Sequence, residues 1–180
     1  MLVVIFGPSG SGKTTIVREM IKDKRVGEIV STTSRPKRKN EKEGKDYYFV
    51  SFEEAQRLLA EGQFVEHTIY DGHIYGITKK EIDSKLEQYP LVVVVTDITG
   101  LKQLELQYSD QIFKVHIGAD PAHLIQRLLN RGDAVENVVR RLRTVEKELA
   151  NWVYADVVFN SSHYRSKDIA EQIKREAGLH

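Results

Sequence analysis

Gly7, Pro8, Ser9, Gly10, Ser11, Gly12, Lys13 and Thr14 follow one another near the start of the chain and satisfy the pattern G-x-x-x-x-G-K-[ST] in full. Glycines at these positions let the backbone curl, so that successive N–H groups converge on phosphate oxygens. A helix starting there adds its positive end. Lys13 is placed to bridge the β- and γ-phosphates of a nucleotide, and Thr14, with Thr15 behind it, offers a hydroxyl to Mg²⁺. The loop needs an apolar strand before it and a helix after it. Leu2-Val3-Val4-Ile5-Phe6 reads as a strand buried on both faces. Ile16, Val17, Met20 and Ile21 recur behind the loop at helical spacing. A glycine-rich turn with a solvated lysine would not require Lys and Thr directly after Gly12.

Such a loop does not choose between kinase, ATPase and GTPase. A GTPase pairs D-x-x-G with a guanine-reading N-K-x-D; Asp97-Ile98-Thr99-Gly100 matches the first and nothing matches the second, so the match reads as chance. Composition narrows the field. The chain has 180 residues, the size of one domain, with 41% hydrophobic and 29% charged residues, ordinary for a soluble protein. A formal net charge of +1 gives no global field for nucleic acid or an acidic membrane, so any anion site is local. The absence of Cys excludes disulfide and thiolate chemistry and fits a cytoplasmic home. The N-terminal apolar run lacks a basic leader and a cleavage site, and reads as the first strand. No apolar run approaches the roughly 20 residues that span a bilayer.

The elements that must position the loop alternate. Beyond the strand at 2–6 and a helix at 14–22, Ile29 and Val30 end a second strand, and a polar stretch follows at 34–46. A strand at 47–52 leads into a helix at 52–60, with Ser51 and Glu54 forming a capping box. Strands at 64–70 and 73–77 flank the hairpin signal Asp71-Gly72. A helix at 78–86, strands at 91–95 and 112–117, helices at 121–131 and 136–151, a strand at 156–159 and a helix at 166–177 complete the pattern. Alternation of this kind predicts an α/β fold with a parallel-sheet core covered on both sides, broken by an antiparallel-looking insertion at 34–77.

The insertion carries chemistry of its own. Arg35 and Arg38, three apart, can fork onto a phosphate that bears about two negative charges near neutral pH. Tyr47 and Tyr75 can donate O–H groups to the same oxygens. Guanine exposes an N1–H and an exocyclic amine, and a carboxylate such as Glu66 can accept both. Alone, the arginines also describe a solvated basic loop, the tyrosines ordinary strand aromatics, and Glu66 the wet face of an alternating strand. Together, Ser31-Thr32-Thr33-Ser34-Arg35-Pro36-Lys37-Arg38, Glu43-Gly44-Lys45-Asp46-Tyr47-Tyr48-Phe49-Val50, Gly62-Gln63-Phe64-Val65-Glu66 and Asp71-Gly72-His73-Ile74-Tyr75-Gly76 stand in the order found in guanylate kinases. Over nearly its whole length the chain resembles that family.

The resemblance implies a P-loop kinase in one domain: a core at 1–33 and 78–180, a GMP-binding insertion at about 34–77 and a lid at about 127–143. It implies transfer of the γ-phosphate of ATP to GMP or dGMP with Mg²⁺, without a nucleic-acid or membrane partner; monomer and homodimer both stay open. It assigns Ser31 to the guanine carbonyl, Glu66 to the base, Asp97 to a place near the base and the metal, and Arg35, Arg38, Tyr47 and Tyr75 to the acceptor phosphate. Arg127, Arg131 and Arg141 become lid cations, with Arg140 an alternative to Arg141, and Asn160 lies near adenine. Lys13, Arg38, Arg131 and Arg141 would neutralise charge during transfer. Three departures stand out. Ile77 replaces a small hydroxyl residue, Val95 replaces an aspartate, and the proline between the paired arginines has moved, giving Arg35-Pro36-Lys37-Arg38. They leave two other readings open: a kinase for a different monophosphate, or a binding module without catalysis.

Overall fold

The structure is a computed structural model that describes residues 1–130 and 135–180, the side chains of 135–138 and 140–142 excepted. Among the described residues, five parallel strands form the first sheet: β1 (Leu2–Phe6), β2 (Val26–Glu28), β7 (Leu91–Val95), β8 (Ile112–Gly118) and β9 (Val157–Asn160), in the order β2-β7-β1-β8-β9. β1 lies at the centre, with Leu2 opposite Val92 on one side and Ile112 on the other. Every residue of β1 is buried. Its two faces feed two cores. Val3 and Ile5 pack with Ile16, Val17 and Met20 of helix α1 (Lys13–Met20) and with Ile169 and Ile173 of α7 (Ser166–Glu176). Leu2, Val4 and Phe6 pack with Ile82 of α3 (Lys79–Gln88) and with Leu101, Leu104 and Tyr108 of α4 (Ile98–Tyr108). Double-sided burial is why β1 and β7 read as unbroken apolar runs.

A second sheet has the order β4-β3-β6-β5, built from β3 (Thr32–Thr33), β4 (Tyr48–Phe49), β5 (Phe64–Tyr70) and β6 (His73–Thr78). Helix α2 (Phe52–Ala60) covers one face through Ala55, Phe64 and Ile74. Ser51 caps α2 by accepting the Glu54 N–H at 3.1 Å, the cap its sequence signalled. Asp71 and Gly72 both have positive φ, 51° and 73°, as a two-residue hairpin turn requires. The sheet is not wholly antiparallel: β3 runs parallel to β4. It begins at Thr32, two residues before the predicted insertion. The strand expected at 47–52 shrinks to Tyr48–Phe49, because its only partner strand is two residues long and α2 starts at once.

Besides β3, the sequence-based expectation lacks helix α4. Its signals are present: Asp97 caps it by accepting the Gly100 N–H at 2.9 Å, which is all that the D-x-x-G spacing amounts to here. Helices α5 (Pro121–Asn130) and α6 (Val135–Ala150) follow β8, and a short 3₁₀ turn, Asn151–Tyr154, leads into β9. Among the described residues no helix is long and apolar enough to cross a membrane.

Candidate active site

The phosphate loop joins the carboxyl end of β1 to α1, with neighbouring strands on both sides, the position where open α/β sheets bind ligands. Gly7 has φ 133°, and a Cβ there would fall on the Ile117 carbonyl of β8, so only glycine lets the loop lie on the sheet. Gly12, the cap of α1, contributes no side chain, so no cap side chain occupies the first N–H groups of the helix. The Lys13 ammonium turns back onto the loop, donating to the Gly7 carbonyl at 2.6 Å and the Pro8 carbonyl at 2.8 Å. The Ser11 hydroxyl is fully buried and has no hydrogen-bond partner among the described residues.

Two clefts meet at this lysine. One, of about 550 Å³, is lined by Ser9, Gly10, Gly12, Lys13, Thr14, Thr15, Arg18 and Arg127. The other, of about 420 Å³, is lined by Gly7, Ser9, Lys13, Val95, Thr96 and Asp97, with Glu148 and Asn151 from the far side. Arg127, on α5, donates to the Gly10 carbonyl at 3.3 Å, the Ser161 hydroxyl at 2.9 Å and the Ser161 carbonyl at 3.0 Å. It therefore ties the loop to the end of β9. Asn160, also there, donates to Asp120 at 2.9 Å and accepts the Ser162 N–H at 2.9 Å. Beneath the loop, His116 of β8 is buried edge-on to Phe6 at 5.3 Å, and its Nε2 meets the Glu148 carbonyl at 3.0 Å. Burial pushes the His116 pKa down, and the Lys13 charge pushes the same way, so the ring is neutral at physiological pH.

The second sheet presents a basic, aromatic cradle. The Arg35 guanidinium makes a two-pronged pair with Glu41, at 2.7 and 3.1 Å, and lies 5.7 Å from the Tyr47 ring centre and 5.8 Å from that of Phe49. The Tyr47 and Tyr75 rings stand edge to face, 6.0 Å apart. Three of the four residues expected on an acceptor phosphate are thus together. The fourth, Arg38, has an exposed side chain, and its N–H donates to Glu41 at 2.8 Å. Glu41 organises this corner and went unnoticed in the sequence, where its spacing three residues after Arg38 was the signal. Ser31 and Tyr47 border one crevice with Thr14 and Val95, so the cradle opens toward the loop.

Glu66, on β5, is half-buried, and no described residue donates a hydrogen bond to its carboxylate. Burial, followed by the nearby Asp97 charge, raises its pKa to about 7. A Cβ on Gly100 would fall on the Thr96 hydroxyl and lie 3.1 Å from Glu66 Oε2. Glu66, Thr96 and the α4 backbone therefore converge on one point, and Thr96 is a second polar neighbour that sequence reasoning missed. Ile77 is 1% exposed and packs into the core with Leu101 and Leu104. Thr78, next to it, spends its hydroxyl capping α3. Val95 is 39% exposed and lines the cleft beside Lys13 and Asp97. Arg131 lies outside the described residues. Arg141 and Arg140 belong to α6, but their side chains lie outside the described set.

The comparisons with known proteins agree with one another. Residues 1–175 match the family model described as guanylate kinase. A guanylate kinase from Thermotoga maritima is 37% identical over 152 residues, covering 82% of this chain and 72% of the relative. One from Thermosynechococcus vestitus is 36% identical over 151 residues, covering 83% and 79%. The crystal structure of guanylate kinase from Anaplasma phagocytophilum superposes with a TM-score of 0.68 at 26% identity, covering 98% of this chain and 83% of that one.

Proposed function

The chain belongs to the guanylate kinase family, and on that premise we propose that it transfers the γ-phosphoryl group of ATP to GMP or dGMP, giving ADP and GDP or dGDP. The observation that carries this reading is the meeting at Lys13 of two clefts, one along the phosphate loop and one leading to Asp97, with the Arg35–Tyr47–Tyr75 cradle nearby. The core at 1–33 and 78–180 holds ATP, the insertion at about 34–77 holds GMP, and the lid at about 127–143 closes over both.

Ser9, Gly10, Ser11, Gly12 and Thr15 wrap the ATP phosphates with backbone N–H groups and hydroxyls, Gly7 and Pro8 shape the turn that presents them, and Arg127 and Asn160 border the nucleoside end. Mg²⁺ arrives with ATP. Among the described residues there is no group of three His, Cys, Asp or Glu side chains to hold a metal. The Thr14 hydroxyl is the protein group that would hold the ion. Once bound beside Thr14, the ion would supply charge screening for the ATP phosphates. Arg35, Arg38, Tyr47 and Tyr75 hold the GMP phosphate, and Ser31, Glu66 and Asp97 face the base. An anionic oxygen of GMP attacks the γ-phosphorus; a P–O bond forms there and the bond to the β–γ bridging oxygen breaks, leaving ADP. The attacking oxygen carries no proton, so positioning and charge neutralisation do the catalysis. Lys13, Arg38, Arg131 and Arg141 supply that charge, Lys13 by leaving the Gly7 and Pro8 carbonyls for the phosphates.

The test is a coupled ADP-release assay across purine and pyrimidine monophosphates. Turnover is expected with GMP and dGMP. Turnover of another monophosphate with none of GMP would refute the assignment and favour a different acceptor, the reading that the buried side chain of Ile77 supports. The binding-module alternative requires that ATP fail to bind at millimolar concentration in calorimetry.

A further inference from the structure

Glu81 has no place in the chemistry above, yet it is one of the few charged residues buried in the protein, 8% exposed on the first turn of α3. An isolated charge in such a place is costly unless it is well bonded. Its bonds reach three separate pieces of chain. Oε1 accepts the Val30 N–H at 3.1 Å, where the backbone leaves the first sheet. Oε2 accepts the Tyr48 hydroxyl at 3.1 Å, from β4 of the second sheet. Its own N–H donates to the Thr78 hydroxyl at 3.3 Å, where the backbone returns from β6. Lys85, 3.9 Å away on the next turn, partly balances the charge.

Each anchored residue adjoins the acceptor cradle. Val30 precedes Ser31, and the Ser31 carbonyl in turn accepts the Tyr48 N–H at 2.9 Å. Tyr48 follows Tyr47. Thr78 ends the strand that carries Tyr75. The carboxylate sits behind the sheet, bordering a cleft of about 400 Å³ with Thr32, Tyr48 and Thr78, and so touches none of the reacting groups.

We propose that Glu81 is a positioning residue for the acceptor: it fastens both backbone crossings between the sheets to Tyr48, and so holds Ser31, Tyr47 and Tyr75 in binding geometry before GMP arrives. The inference rests on the assignment of GMP as acceptor. An acceptor site ordered in advance binds more tightly because ordering is not deducted from affinity. Losing the strut therefore weakens GMP binding selectively; the phosphate loop hangs on β1 and β8, and ATP does not sense it.

The experiment is steady-state kinetics on Glu81→Ala, Glu81→Gln and Tyr48→Phe, varying GMP and ATP separately. Glu81→Ala is expected to raise KM for GMP about tenfold, with kcat and KM for ATP within about twofold. Glu81→Gln restores near-normal values, since an amide oxygen still accepts from Val30 and the NH₂ donates to the Tyr48 oxygen. Tyr48→Phe, which removes one arm, falls between. An unchanged KM for GMP in folded Glu81→Ala overturns the proposal, as does an equal rise for both substrates, which marks general loosening. If Glu81→Ala does not fold, a Tyr48→Phe enzyme with unaltered KM for GMP overturns it. Wild-type enzyme without GMP turnover refutes the acceptor assignment instead, so the two failures are separate.

Discussion

Protonation of Glu66 offers a quantitative test of how the base is read. Only the ionised carboxyl can accept hydrogen bonds from both N1–H and the exocyclic amine of guanine. With its pKa raised to about 7 by burial and by Asp97, about one-tenth of the enzyme is competent at pH 6 and about nine-tenths at pH 8, roughly a ninefold range. The GMP phosphate titrates near 6 and contributes about twofold over the same span. Wild-type kcat/KM for GMP is therefore expected to rise about twentyfold from pH 6 to pH 8, while kcat/KM for ATP at saturating GMP stays nearly flat. Glu66→Gln removes the titrating group and keeps only the twofold phosphate contribution, at lower absolute activity. Asp97→Asn takes away the neighbouring charge and moves the inflection down. The unliganded protein reports the same group with opposite sign. A carboxyl whose folded pKa is raised stabilises the fold below its ordinary value near 4.5 and loses that contribution as pH rises through about 7. Above pH 7, Glu66→Gln is then expected to be more stable than wild type by about 1–2 kcal/mol, allowing for the part of the group that water reaches. Parallel pH profiles for wild type and Glu66→Gln would refute the reasoning, because the base would then lie away from this carboxyl.

Three further substitutions probe other parts of the site. Lys13→Ala is expected to lower kcat about 10²–10³-fold, the scale of a lost transition-state charge partner, with an unchanged circular dichroism melt; near-normal turnover would remove the loop mechanism. Glu41→Ala frees the Arg35 guanidinium from its 2.7 and 3.1 Å contacts and is expected to raise KM for GMP roughly three- to tenfold through lost orientation, whereas a fall in KM would show that Glu41 competes with the phosphate. Gly100→Ala drives a methyl onto the Thr96 hydroxyl and toward Glu66 Oε2; a loss of about 1–3 kcal/mol in denaturant titration, together with weaker GMP binding, is the expected result, and a neutral effect on both would contradict the packing.

What could be read from the residues divides along sequence distance. The strand–loop–helix unit from Leu2 to Met20 and the Asp71–Gly72 hairpin were legible because motif, periodicity and turn chemistry act within a few positions. β3 was not, since two threonines carry no pattern and their pairing depends on Tyr75, Gly76, Tyr48 and Phe49, remote in sequence. α4 escaped because Thr99 and Gly100 weaken its first turn, though Ile98, Leu101, Leu104 and Tyr108 have helical spacing. The arginines and tyrosines of the insertion were visible by type, whereas Glu41, the carboxylate that pairs with Arg35, left only the faint signal of its spacing after Arg38. The elevated Glu66 pKa comes first from burial and then from Asp97, 31 positions on, and no local reading supplies either. Glu81 is one of several charged residues on its helix, and its bond to the Val30 N–H, 51 positions away, is a product of the fold alone. Ile77 was recognised as a missing hydroxyl; that its side chain fills the hydrophobic interior instead is a matter of β6 register.

The central place of β1 also governs when the protein can begin to assemble on the ribosome. Its flanking partners are synthesised about 90 and 110 positions after it, Val92 and Ile112 opposite Leu2. Until both emerge, Leu2-Val3-Val4-Ile5-Phe6 has no lasting partner, and most of the chain must exist before the sheet can close. Distant pairings of this kind fold slowly and leave greasy segments uncovered meanwhile. The strand that hangs the nucleotide loop in the finished enzyme is therefore also an apolar segment whose cover comes from far along the chain.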